Sequence, residues 1–119
     1  MTRSIDWDKV GEKTEISQAL LPVVVQQQVT GEVLMVGYMN PEALAETERT
    51  GWVTFFSRKD RALRVQGENR GCRLRVWQYF IGCEENSLVL KVRREVGADP
   101  DDTCHHGGVS CLVESEMAD

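Results

Sequence analysis

The stretch NPEALAETERTG, residues 40–51, restricts the fold more than any other part of this 119-residue chain. It carries a start and a stop for one short helix. Asn40 can accept from the first unpartnered backbone N–H groups, and Pro41 suits the first helical position, where its missing donor is not needed. Glu42 meets the positive end of the helix dipole. Gly51 suits the left-handed position just past the last turn. Leu44 and Ala45 are expected to face inward, and the remainder is polar. Such a helix must lie on a sheet with one face only.

The flanking segments supply the sheet. LLPVVVQQQ (20–28) is rich in β-branched residues, VTG offers a turn, and EVLMVGYM (32–39) returns, which predicts a hairpin. WVTFFSR (52–58) and ALRVQ (62–66) predict two further strands, and GENRG (67–71) a loop. In CRLRVWQYFIG (72–82), Leu74 and Val76 alternate with Arg73 and Arg75, and SLVLKVRREVG (87–97) predicts a last long strand. The expected class is α+β, a strand-rich mixed sheet with one firm short helix. No repeat or internal linker divides the chain. A single domain over residues 1–119 is expected, with 1–18 and 113–119 as peripheral tails.

Charge and composition narrow the function. The net charge of −5 argues against a nucleic-acid partner. No apolar run approaches the ~20 residues of a membrane span. The first fifteen residues show no apolar signal region, so a cytoplasmic location is expected. Thiols stay reduced there, and four cysteines then favour metal ligation or catalysis over crosslinks. Residues 58–75 hold seven arginines and lysines against Asp60 and Glu68, a local charge of +5 on an acidic chain. Arg58, Arg64 and Arg70 in this arm suit a small anion such as a phosphate. The plainer alternative is a solvated strand pair with arginines at its rim.

Half of the cysteines and both histidines fall in DDTCHHGGVSC, residues 101–111. Cys104 and Cys111 flank a loop whose glycines allow a sharp turn. With Cys83 they make three thiolate donors, which suits zinc. Three protein ligands leave a fourth position open, and an ion so held lowers the pKa of a bound water to about 7. His105 or His106 could then move a proton. Two other arrangements stay open: a histidine could close a structural zinc site, or no metal could bind. Glu84, Glu85 and Asn86 beside Cys83 could offer oxygen donors to magnesium, or could form a solvated acidic turn. Cys72 opens a strand and is expected to be a half-buried small residue.

These residues together resemble the phosphoribosyl-AMP cyclohydrolase family of histidine biosynthesis. The resemblance runs from about Leu21 to Leu112. TGEVLMVGYMNPEALAETERTGWVTFFSR looks like the family's strand–helix–strand signature, and TCHHGGVSC like its C-terminal cysteine motif, with Cys104, His105, Gly107, Ser110 and Cys111 matching. Cys83 falls where the family carries its first zinc cysteine. The resemblance implies an intertwined α+β homodimer with sites at the subunit interface, each zinc taking Cys83 from one subunit and Cys104 and Cys111 from the other. It implies hydrolytic opening of the adenine ring of N1-phosphoribosyl-AMP between N1 and C6, with His105 as the base. It gives His106 no role.

Two stretches depart from the family pattern. Where the family has an Asp-Cys-Asp-x-Asp magnesium stretch, this chain has Gly82, Cys83, Glu84, Glu85 and Asn86. One carboxylate is lost, one is lengthened and one is an amide, which weakens a hard-cation site at Glu84 and Asn86. The loop from Leu63 to Gly71 keeps its glycines and Glu68, a candidate substrate contact. It carries Arg64, Gln66 and Arg70 where the family has Trp, Lys and Ser, and Phe55–Phe56 stands for Phe-Trp. Arg64 and Arg70 could take over from magnesium as the positive partner of a phosphate. Three readings follow: the cyclohydrolase itself, a paralogue acting on another nucleotide or heterocycle, and a non-catalytic zinc-binding dimer.

Overall fold

The structure is a computed structural model and describes residues 3–10, 19–95, 110, 112 and 115. Six strands and one helix follow in the order β1 (Leu21–Gln27), β2 (Val33–Met39), α1 (Pro41–Thr50), β3 (Thr54–Ser57), β4 (Ala62–Val65), β5 (Leu74–Ile81) and β6 (Leu88–Arg94). A 3-10 turn, Glu68–Arg70, joins β4 to β5. Four strands form one sheet in the order β2-β1-β6-β5, and β3 and β4 form a separate hairpin. The sheet is mixed as expected: β1 and β6 run parallel, and the two outer pairs are antiparallel.

The alternation along β1 explains how the sheet is oriented. Leu21, Val23 and Val25 are fully buried, while Pro22 is exposed and Val24 half-buried. Pro22 is tolerated in this inner strand because parallel pairing to β6 begins only at Val23, so no ladder bond on that side needs its absent N–H. Leu34, Met39, Leu74, Leu88, Leu90 and Val92 join the same buried layer. Burying each such aliphatic side chain contributes about 1.5–3 kcal/mol against the entropy of ordering the chain.

Helix α1 is punctuated as its sequence predicts. The Asn40 side chain accepts from the Ala43 N–H at 2.8 Å, and Gly51 closes the helix at φ 83° with its N–H on the Thr47 carbonyl. The inward face is a correction. Ala43 and Thr47 are buried, Leu44 is half-buried and Ala45 is exposed. With the cap fixed at Asn40, residues one turn apart, Ala43 and Thr47, share the covered side. A buried threonine is permitted here because its hydroxyl is fully used. It donates to the Ala43 carbonyl at 2.8 Å and accepts from the Thr54 N–H at 3.0 Å, tying helix to β3.

β3 in turn lies over β2 through Gly37. A Cβ on Gly37 would stand 2.6 Å from the Phe55 ring, so the missing side chain is the seat of that ring. Cys72 is 3% exposed, more buried than expected. Residues 3–10 reach the core as well: Val10 is buried, Ile5 and Trp7 pack beside it, and the Asp6 N–H donates to the Glu85 carbonyl at 2.8 Å. No helix among the described residues is long and apolar enough to cross a membrane.

Candidate active site

Three places in the fold carry the residues singled out by the sequence. The first is the turn between β5 and β6. Gly82 donates to the Ser87 carbonyl at 3.1 Å and Glu85 to the Gly82 carbonyl at 2.9 Å, which folds the connection tightly. Glu85 takes φ 59°, a left-handed value that a non-glycine residue adopts at a cost. Cys83 and Glu84 are exposed on this turn, and Asn86 is half-buried. A solvent-facing thiol at the tip of a rigid turn fits the donor chemistry of zinc. Among the described residues no three of His, Cys, Asp and Glu gather as a metal group. Cys104, His105, His106 and Cys111 lie outside the described residues.

The second place is the C-terminal motif as represented by Ser110. Its hydroxyl lies 2.8 Å from the Val33 carbonyl and 3.2 Å from that of Leu34, and it accepts the Leu112 N–H at 3.0 Å. Ser110 is therefore moored on β2, at one edge of the described sheet. Cys83 belongs to the hairpin at the other edge. Leu34 lies within the β1–β2 bulge, beside the row Met35–Val25–Leu90–Tyr79. From there to Cys83 is two to three strand spacings across and about four residues along, roughly 16–20 Å.

The third place is a cleft of about 430 Å³ lined by Leu63, Arg64, Gln66, Gly67, Glu68 and Arg70, among others. Its wall is held by an unusual turn. Gly67 takes φ 76°, and a Cβ there would meet the Cys72 carbonyl oxygen at 2.2 Å. That carbonyl can approach so closely only because residue 67 is glycine. The Cys72 N–H bonds back to the Gly67 carbonyl at 3.1 Å and closes the loop. The exposed Glu68 and Arg70 lie on this loop. The cleft ends where β5 begins, and Cys83 lies past the far end of that strand. The span from Leu74 to Ile81 is about 23 Å.

The arginines of the basic arm have defined company. Arg64 Nε donates to Asp60 Oδ2 at 2.7 Å, and the same pair forms an ion pair. Those hydrogen bonds hold the Asp60 carboxyl below its usual range. Ser57 also donates to Asp60, which fixes the β3–β4 turn. Arg58 lies 5.1 Å from the centroid of Tyr38. The Arg64–Asp60 pairing was not foreseen, although opposite charges facing each other across the short turn SRKDRALR are its signal. The mooring role of Ser110 had no signal in sequence beyond its place in the motif.

Comparison with known proteins bears directly on these three places. A model of the family described as phosphoribosyl-AMP cyclohydrolase matches residues 35–113, a span that includes the cleft, Cys83 and the C-terminal motif. The chain belongs to the phosphoribosyl-AMP cyclohydrolase family. Among curated relatives, the histidine biosynthesis bifunctional protein HisIE of Yersinia pestis is 45% identical over 109 residues, which are 92% of this chain and 48% of that protein. HisIE of Escherichia coli K12 is 42% identical over 113 residues, 95% of this chain and 50% of the relative. HisIE of Blochmanniella floridana is 37% identical over 110 residues, 92% and 46%. The chain spans about half the length of the curated relatives it matches. This cyclohydrolase-family chain thus aligns along nearly all of its own length, with the departures at residues 64, 66, 70 and 82–86 inside the aligned region.

Proposed function

We propose that this chain hydrolyses the bond between N1 and C6 of the adenine ring in N1-phosphoribosyl-AMP. The observation that carries this reading is the family match across residues 35–113, which takes in every candidate site residue. In the reaction the water oxygen becomes the carbonyl oxygen of a carboxamide at C6, and N1 gains a proton as its bond to C6 breaks. Zinc held by Cys83, Cys104 and Cys111 would acidify the attacking water when bound.

The chain's own residues divide the remaining work. The tight β5–β6 turn presents the Cys83 thiol to solvent. His105 would carry the proton from water toward N1. Arg58, Arg64 and Arg70 would hold phosphate groups of the substrate, with Glu68 as a hydrogen-bond acceptor on the wall of the cleft. Arg64 would first exchange part of its pairing with Asp60 for a phosphate, a modest change because ion pairs exposed to solvent are weak. Glu84 and Asn86 would be poor magnesium ligands, and Arg64 and Arg70 would supply the positive charge instead.

A site shared between two copies is part of this reading. By strand spacing, Cys83 and Ser110 lie roughly 16–20 Å apart within one chain, and Ser110 is the neighbour of Cys111 in sequence. The cleft lies farther still from Cys83 of the same chain. A homodimer that brings Cys83 of one copy to the C-terminal motif of the other would remove the first separation.

The rewritten cleft supports a second reading, a paralogue with the same zinc chemistry and a different nucleotide. Incubation of the purified chain with N1-phosphoribosyl-AMP separates the two, followed by the absorbance change on ring opening and by zinc analysis. Turnover with about one zinc per chain is expected. Full zinc content without turnover of this substrate overturns the first reading in favour of the second.

A further inference from the structure

The β5–β6 turn that presents Cys83 is not held by its own hydrogen bonds alone. Residues 3–10 lie against it and grip its backbone on both sides of the cysteine. A terminal nitrogen of Arg3 donates to the Ile81 carbonyl at 3.2 Å, two residues before Cys83. The Asp6 N–H donates to the Glu85 carbonyl at 2.8 Å, two residues after it. Cys83 and Glu84, between these grips, stay exposed. The turn is thus clamped while its thiol is left uncovered.

The segment that makes these contacts is itself fixed. Val10 is buried, and Ile5 and Trp7 pack on the core. Asp6 opens a tight turn of its own. Its carbonyl accepts the Lys9 N–H at 3.0 Å, and its carboxylate accepts the Asp8 N–H at 3.1 Å. The Trp7 carbonyl accepts from Val10 at 3.3 Å. The Asp6 N–H is therefore a positioned donor on an anchored segment. Its acceptor is also the residue that needs support. Glu85 holds φ 59°, and a non-glycine residue persists in that conformation only where its surroundings keep it there. Without the Asp6 bond, Glu85 can relax toward its ordinary backbone shape. The bond from the Glu85 N–H to the Gly82 carbonyl, which closes the turn around Cys83, would loosen with it.

We propose that residues 3–10 are a strap that positions the Cys83 thiol, with Arg3 and Asp6 as its grips and Ile5, Trp7 and Val10 as its anchor. The proposal rests on the reading of Cys83 as a zinc donor given above. A thiolate already oriented before the ion arrives leaves less ordering to be done on binding, so the ion is held more tightly and released more slowly. Arg3 and Asp6 act through the backbone of the turn, and are positioning residues.

Amide hydrogen exchange and zinc transfer to a chromogenic chelator, both measured on the full zinc-loaded chain, test the strap. Trp7→Ala weakens the anchor, and Arg3→Met removes one grip at an exposed position, where folding is least affected. Thr47→Val, at a residue whose hydroxyl bonds to Ala43 and Thr54 instead, is the control for a general loss of stability. Exchange at Gly82 and Glu85, and zinc release, should each quicken roughly 10-fold in Trp7→Ala and about 3-fold in Arg3→Met. The kcat for N1-phosphoribosyl-AMP should fall while KM stays within about twofold, because the strap orients a donor to the ion and leaves the substrate contacts unchanged. Thr47→Val should keep parental exchange at these two amides and parental zinc release. Unchanged exchange and zinc release in both strap variants, or an equal acceleration in Thr47→Val, overturns the strap while leaving the zinc-hydrolase reading in place. Parental zinc content and turnover in Cys83→Ala overturn both.

Discussion

Glu95 shows how much can depend on one carboxylate near the end of the described sheet. Arg73 donates to it through Nε at 3.1 Å and through a terminal nitrogen at 2.7 Å, and the Arg73 backbone N–H adds a third bond at 3.1 Å. The guanidinium also stacks 4.0 Å from the Trp52 centroid. These hydrogen bonds hold the Glu95 carboxyl below its ordinary value. Its contribution to stability is then complete above the ordinary carboxylate range and is lost as pH falls through the lowered value. Glu95→Gln should lower the thermal unfolding midpoint at pH 7, and the gap to the parent should close in acid. A gap that is constant with pH would show that the charge is not what matters. The pair itself was hidden in sequence, because 22 residues separate its members. The caps at Asn40 and Gly51 were legible because their partners are local.

At the scale of elements, the clearest dependence is that of helix on hairpin. Thr47 and Thr54 are 3% and 1% exposed and satisfy each other's polar atoms. Thr47→Val keeps the shape and removes the oxygen, so the buried Thr54 N–H loses its acceptor. A loss of about 1–3 kcal/mol is expected in urea unfolding. Thr47→Ser, which retains the oxygen, should lose less. Periodicity could place these strands and the helix but could not tell which helix face is covered. A threonine reads as polar until the strand that partners it is in place, which is why Leu44 and Ala45 looked like the better inward pair. The β5 alternation likewise fails past Val76, because the bulge there resets which residues face the core.

For the whole molecule, the sequence names the candidate site residues by type and does not give them a place. Spacing pointed to Cys83, Cys104 and Cys111 as one donor set. It could not show that β5 separates the cleft from Cys83, or that Ser110 is moored across the sheet from it. A shared site makes a specific prediction. Cys83→Ala and Cys111→Ala should each abolish turnover and lower zinc content when prepared alone. Mixing the two after reversible dissociation should restore about a quarter of the parent activity, because half the dimers are then mixed and each has one intact site of two. No recovery on mixing, with subunit exchange shown independently, would place all three sulfurs in one chain.

The hydroxyl of Ser110 has a bearing on solubility as well. It occupies carbonyl groups of β2, one border of the sheet. At the other border, Val53 N–H reaches the Leu74 carbonyl and Val76 N–H reaches that of Gly51, so the first half of β5 is covered by the chain that precedes β3. Backbone groups that could template a foreign strand are thereby occupied at part of each margin. Ser110→Ala would uncover one of them, leaving a chain more prone to fibrous precipitation on storage even where its chemistry survives.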